Sequence, residues 1–103
     1  MEYSLKTDSG CTTLTFFGRF DMKARQTFLD AFQLAREENA KKIVFDLREV
    51  PFLDSVAIGL IVIAHKRYQN ASGALTLRVC EGPVKQALDL MRISDLIPVV
   101  TDE

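Results

Sequence analysis

"FLDSVAIGLIVIAH", residues 52–65, holds nine consecutive residues, Val56 to Ala64, without a polar side chain. An acid and a hydroxyl, Asp54 and Ser55, stand directly before them. Propensity alone permits a strand here, because a short apolar run does not separate a buried strand from a buried helix. Two features favour a helix. Asp54 or Ser55 can cap its start by accepting an orphan backbone N–H. The pattern also continues through His65-Lys66-Arg67-Tyr68, which places basic groups late, where they complement the negative end of the helix dipole. Ser72-Gly73 ends the segment with residues that punctuate helices.

The flanking segments alternate in kind. Upstream, Ile43-Val44-Phe45-Asp46-Leu47 is short, apolar and β-branched, as a buried central strand requires. A loop from Arg48 to Asp54, with Pro51 inside it, joins this strand to the helix. Residues 2–6 and 11–17 read as an antiparallel hairpin about Asp8-Ser9-Gly10, a turn signal with glycine available for positive φ. Gly18 closes the second strand, and Asp21 is placed to cap a helix from Met22 to about Asn39,. Ala24, Phe28, Ala31, Phe32 and Ala35 recur at helical spacing as its buried stripe, with Lys23, Arg25, Gln26, Asp30, Arg36 and Glu37 on the other face,.

Downstream, Leu75, Leu77 and Val79 alternate with Thr76, Arg78 and Cys80 in a strand over Ala74–Cys80,. Pro83, after Gly82, suits the first turn of a third helix reaching about Arg92, with Val84, Ala87, Leu88 and Met91 as its stripe,. Leu96 to Val100 can form a last short strand, which Pro98 confines to an edge or an irregular position,. The order ββαβαβαβ predicts an α/β fold with a mostly parallel sheet and right-handed crossovers.

Composition narrows the function. A chain of 103 residues fits one domain, 1–103,. Its 48% hydrophobic and 26% charged residues are a globular balance,. The formal net charge of −1 offers no basic surplus for nucleic acid. Cys11 and Cys80 form no CxxC pair and read as reduced thiols of a cytoplasmic protein. The N-terminus MEYSLKTDSG lacks the regions of a signal peptide,. The apolar run is far short of the about 20 residues that span a bilayer, so no direct membrane insertion is expected.

Catalytic chemistry is thin. His65 is the only histidine. Its place beside Lys66 and Arg67 predicts a solvated or edge position, and no nucleophile–base set can be built around it. No metal-ligand cluster and no phosphate-cradling glycine motif is present,. The expectation is a protein that is not an enzyme and needs no cofactor.

The apolar helix, by contrast, is informative. Val56, Leu60, Ile63, Ala57, Ile58, Ile61 and Val62 cover most of its circumference, yet a helix laid on one sheet needs only one apolar stripe. Some of that surface should stay exposed near the helix start, and exposed apolar patches mark partner sites. Ser55 would lie at the rim. A phosphate there adds about −1.5 to −2 charges. The helix N-terminus accommodates such an anion, while an apolar partner surface does not, and Asp54 adds like-charge repulsion.

The segment "FDLREVPFLDSVAIGLIVIAHKR" resembles the centre of STAS domains, and in particular the small bacterial anti-sigma factor antagonists. The shared features are Asp46-Leu47 at a strand end, Phe52 in the loop, Asp54-Ser55, Ile58 and Gly59. "GRFD", Gly18 to Asp21, and "GPVKQALDLMRISDLIPVV", residues 82–100, extend the likeness over nearly the whole chain. Val56 and Ala57 depart from it, standing where the family has a small or hydroxyl residue and often a glycine.

The resemblance implies a STAS-like mixed sheet of four to five strands with three or more helices packed mainly on one side. It implies binding to an anti-sigma factor that is also a serine kinase of the histidine-kinase-like ATPase fold. That kinase would phosphorylate Ser55 and a metal-dependent phosphatase would reverse the step, in a protein that is monomeric or weakly dimeric. Asp21, Asp54, Ser55, Val56, Ala57, Ile58 and Gly59 are the expected partner-binding residues. The alternative is a STAS accessory subunit of an ABC-type lipid transporter, docking on an ATPase without a switch. A nucleotide-binding role has the least support.

Overall fold

The computed structural model describes residues 1–102. Five strands, β1 (Glu2–Asp8), β2 (Cys11–Phe17), β3 (Lys42–Glu49), β4 (Ala74–Cys80) and β5 (Val99–Asp102), alternate with helices α1 (Arg25–Glu37), α2 (Ser55–Asn70) and α3 (Pro83–Leu90). The sheet order follows the chain, β1-β2-β3-β4-β5. The β1–β2 hairpin is antiparallel and the other three pairings are parallel. A right-handed crossover that always steps the same way returns on the same face, so the three helices share one side of the sheet.

Strand alternation builds the core on that side. Phe16 and Leu14 of β2, Ile43, Phe45 and Leu47 of β3, and Leu75, Leu77 and Val79 of β4 are all buried. Phe28 of α1 lies at the centre of an aromatic group, 4.9 Å from Phe20, 5.5 Å from Phe16 and 5.4 Å from Phe45 between ring centroids. The other face carries the intervening residues, among them Thr13, Thr15, Thr76 and Arg78, half-buried and without a helix over them. Its polarity lets a mostly parallel sheet leave one face to solvent.

Several boundaries differ from the sequence reading. Residues Met22–Ala24 form a 3₁₀ turn before α1, since the Ala24 N–H bonds to the Asp21 carbonyl three residues back. β3 runs on to Glu49, which shortens the following loop. α3 stops at Leu90, and Arg92 takes a left-handed backbone, φ +54°. Met91 is therefore off the stripe and exposed. A second 3₁₀ turn occupies Ile93–Asp95, and the last strand starts only at Val99. Pro98 cannot donate to a ladder, but its carbonyl accepts the Leu77 N–H at 2.9 Å. β5 is an edge strand, and Pro98 lies just outside it.

His65 is the clearest correction. It is buried, and neither Nδ1 nor Nε2 has a hydrogen-bond partner. The helical period explains this: His65 lies four residues after Ile61 and seven after Ile58, on the buried side, while Lys66 and Arg67 turn outward. Adjacency to basic residues in sequence was a poor guide to its environment.

Candidate functional site

Gly18, with φ +98°, turns the chain out of β2, and its N–H donates to the Glu49 carbonyl at 3.3 Å. The register of β2 on β3 shifts between Thr15 and Phe17, an irregularity that bends a strand and re-aims the chain beyond it. Residues 19–21 then run alongside the loop before α2. The Phe20 N–H donates to the Phe52 carbonyl at 2.9 Å, and the Asp54 N–H donates to the Phe20 carbonyl at 3.3 Å. Phe20 and Leu53 pair across the two segments and are both buried. With these as anchors, Arg19, Asp21, Phe52 and Asp54 fall on the outer side, exposed or half-buried.

Both acids start helical segments. An Asp21 carboxylate oxygen accepts the Lys23 N–H at 3.0 Å. An Asp54 carboxylate oxygen accepts the Ala57 N–H at 2.9 Å. Asp54 is thus the N-cap of α2 and Ser55 its first helical residue. Asp54, not Ser55, takes the capping role that the sequence left open between them. The Ser55 side chain is exposed.

The two segments and the start of α2 leave apolar side chains in solvent. Met22 is 68% exposed, Phe52 38% and Val56 40%. The Arg19 guanidinium lies 4.3 Å from the centre of the Phe52 ring and 3.7 Å from Asp21. Gly59 is exposed, and a Cβ there would meet nothing within 4 Å. A glycine inside a helix costs about 0.5–1 kcal/mol against alanine, and packing within this chain gives no reason for it. Ala57 and Ile58, expected among the partner contacts, are in the core, 0% and 5% exposed. They hold α2 from beneath, because they fall on the side of the helix turned to the sheet. Arg19 and Met22 were missed. Arg19 could have been found from its place in "GRFD", beside the capping acid.

A second charged group occupies the ends of β3, β4 and β5. Arg48 bonds both carboxylate oxygens of Asp46, with Nε at 3.0 Å from one and a terminal nitrogen at 2.8 Å from the other. It also reaches Asp102 at 3.0 Å, which Arg78 holds at 2.8 Å. Burial pushes the Asp46 carboxyl up, but the hydrogen bonds and charge of Arg48 outweigh it and hold the group below its ordinary range. Asp102 is likewise lowered, chiefly by its hydrogen bond from Arg78. A cavity of about 550 Å³, lined by Gln33, Arg36 and Tyr68 among others, lies at the opposite end of the sheet, where α1 and α2 finish. Among the described residues, no group of His, Cys, Asp or Glu is placed to hold a metal ion. No helix of residues 1–102 is long and apolar enough to cross a membrane.

A five-stranded mixed sheet with helices on one face, and a capped apolar helix displaying a serine, define the class. The STAS domain pattern matches residues 2–103, and the chain belongs to that family. A STAS-domain containing protein of Pseudomonas aeruginosa (strain UCBPP-PA14) is 28% identical over 87 residues, covering 84% of this chain and 85% of the relative. Among solved structures, an anti-sigma factor antagonist from Mycobacterium paratuberculosis superposes with a TM-score of 0.87 at 16% identity, covering 96% of this chain and 84% of the other. The Bacillus cell fate determinant SpoIIAA in its phosphorylated form gives 0.70 at 14% identity, covering 99% and 92%. A sulfate transporter family protein from Wolinella succinogenes gives 0.78 at 15% identity, covering 92% and 80%. These likenesses establish the shared fold.

Proposed function

We propose that this chain is an anti-sigma factor antagonist of a partner-switching pathway, a binding module whose contact surface is the start of α2. The observation that carries this is the exposed Ser55 hydroxyl at an acid-capped helix start, flanked by exposed Phe52, Val56 and Gly59. Unmodified, the surface presents apolar side chains and a smooth helix face to an anti-sigma factor that is a serine kinase. That kinase transfers the γ-phosphoryl group of ATP to Ser55 Oγ, releasing ADP and the hydroxyl proton. Hydrolysis by a metal-dependent phosphatase returns the hydroxyl and inorganic phosphate.

The charge brought by a phosphate, about −1.5 to −2, falls next to Asp54 at the contact surface. The fold tolerates it, since the first N–H groups of a helix lack intrahelical partners and favour anions. An apolar partner does not. Ser9 and Ser72 have left-handed backbones in turns, where serine is explained by conformation alone.

The test is purification of the tagged chain from its native host, with site-mapped mass spectrometry and an ATP assay on what copurifies. The expected result is a kinase that phosphorylates the wild type and leaves Ser55→Ala untouched. Recovery of transporter ATPase subunits, with Ser55 unmodified in every growth condition, would overturn the proposal and favour the accessory-subunit role suggested by the transporter-family likeness.

A further inference from the structure

Among the described residues, the Arg19 side chain is the cation stacked on the exposed Phe52 ring, and its present contacts are weak. Its separation of 3.7 Å from Asp21 is long for an ion pair, and its side chain is 65% exposed. Asp21 is already engaged by the Lys23 N–H. A cation over an exposed ring contributes only about 0.5–1 kcal/mol. Arg19 is therefore held lightly, over a ring three residues before Ser55. The backbone brings it close to that serine: the Phe20 carbonyl, one residue on from Arg19, accepts the N–H of Asp54, one residue before Ser55. Solvent on its open side leaves the guanidinium free to move.

We infer that Arg19 is the internal counter-charge for a phosphate on Ser55. This rests on the reading of Ser55 as the modified residue. In the unmodified protein, Arg19 lies over Phe52 and shields its ring. When Ser55 carries phosphate, the local charges are two carboxylates, Asp21 and Asp54, and a dianion, against Arg19 and Lys23. A guanidinium offers a planar pair of donors that matches phosphate better than an ammonium does. Arg19 leaves the ring and pairs with the phosphate. The modified surface thus differs twice from the unmodified one: it gains an anion, and it loses the cation stacked on Phe52. Arg19 is a positioning residue in this scheme. It sets how much of the phosphate charge a partner meets.

The test needs no kinase. Phosphoserine is incorporated genetically at position 55 of the full chain, and the second ionisation of the phosphate is followed by ³¹P NMR. An opposite charge lowers such an ionisation, by less at an exposed site than in a buried one. Arg19→Gln should raise the phosphate pKa by about half a pH unit relative to unsubstituted phosphoprotein, and Lys23→Gln by less. In the unsubstituted protein, the Arg19 Hε resonance should lose its ring-current shift from Phe52 on phosphorylation. Identical titrations with and without Arg19 would overturn the inference, as would a larger effect from Lys23→Gln. Because the phosphate is placed chemically, such a failure leaves the switching proposal standing. Failure of that proposal is read instead from mass spectrometry of the native protein.

Discussion

Two groups of acids lie at the C-terminal ends of the parallel strands, and the chain uses them in opposite ways. Asp46 and Asp102 are clasped by Arg48 and Arg78, carboxylate to guanidinium, with Asp46 almost wholly buried. Asp21 and Asp54 spend their carboxylates on backbone N–H groups at two helical starts. The clasped acids tie β3, β4 and β5 together. The capping acids leave the side chains around them open, with Phe52, Val56 and Met22 in solvent and Arg19 loosely held. Paired charge marks where the fold is fastened, and charge spent on caps beside exposed apolar residues marks where something else is expected to bind.

Substitutions can break this contrast, beginning with the clasp. Asp46→Asn should cost about 2 kcal/mol, the range for hydrogen bonds to a charged group, read from the urea midpoint. The full penalty of breaking a buried pair is not expected, since Arg48 keeps about a third of its side chain in solvent,. The acid limb should change with it. Because the native Asp46 pKa lies below its ordinary value of 3.8, the unfolded chain binds more protons there. Stability from this group is present above about pH 4 and lost as pH falls through the depressed native value. Asp46→Asn should flatten that limb. An unchanged acid limb would mean that Asp46 is not the fastening group.

Removing a cap is a smaller perturbation. Asp54→Ala should destabilise by about 1 kcal/mol, and circular dichroism should show fraying of α2. A loss as large as that of Asp46→Asn would erase the distinction between the two regions. Gly59→Ala sharpens it from the other side. Since nothing within this chain occupies the space beside Gly59, the substitution should stabilise the isolated protein by about 0.5–1 kcal/mol while weakening partner binding. Stabilisation with unaltered binding would take Gly59 out of the contact surface.

Much of the fold was legible because local and global signals agree. α2 could be read from its acid cap, its unbroken apolar run and its late basic residues, and β4 from strict alternation. The face chosen by His65 is set by the helical period, and its two basic neighbours in sequence point the other way. The start of β5 was displaced by Pro98, whose carbonyl joins the sheet although its nitrogen cannot. The Arg48–Asp102 contact spans 54 residues of sequence, and only the order of strands brings it about. At the candidate site, Asp21, Asp54 and Ser55 were read from capping and resemblance. The inward turn of Ala57 and Ile58, and the stacking of Arg19 on Phe52, depend on how residues 18–21 lie against residues 52–54.

The central claim is that a phosphate on Ser55 spares the fold and disables the surface. Its most direct test is calorimetric titration of the kinase recovered from the native host with unmodified chain and with chain carrying phosphoserine at position 55, alongside the thermal unfolding of each. The account predicts a loss of affinity of at least about tenfold, within the usual range of such switches, with a Tm unchanged within error. Equal affinities, or a loss that merely tracks a collapse in Tm, would contradict it.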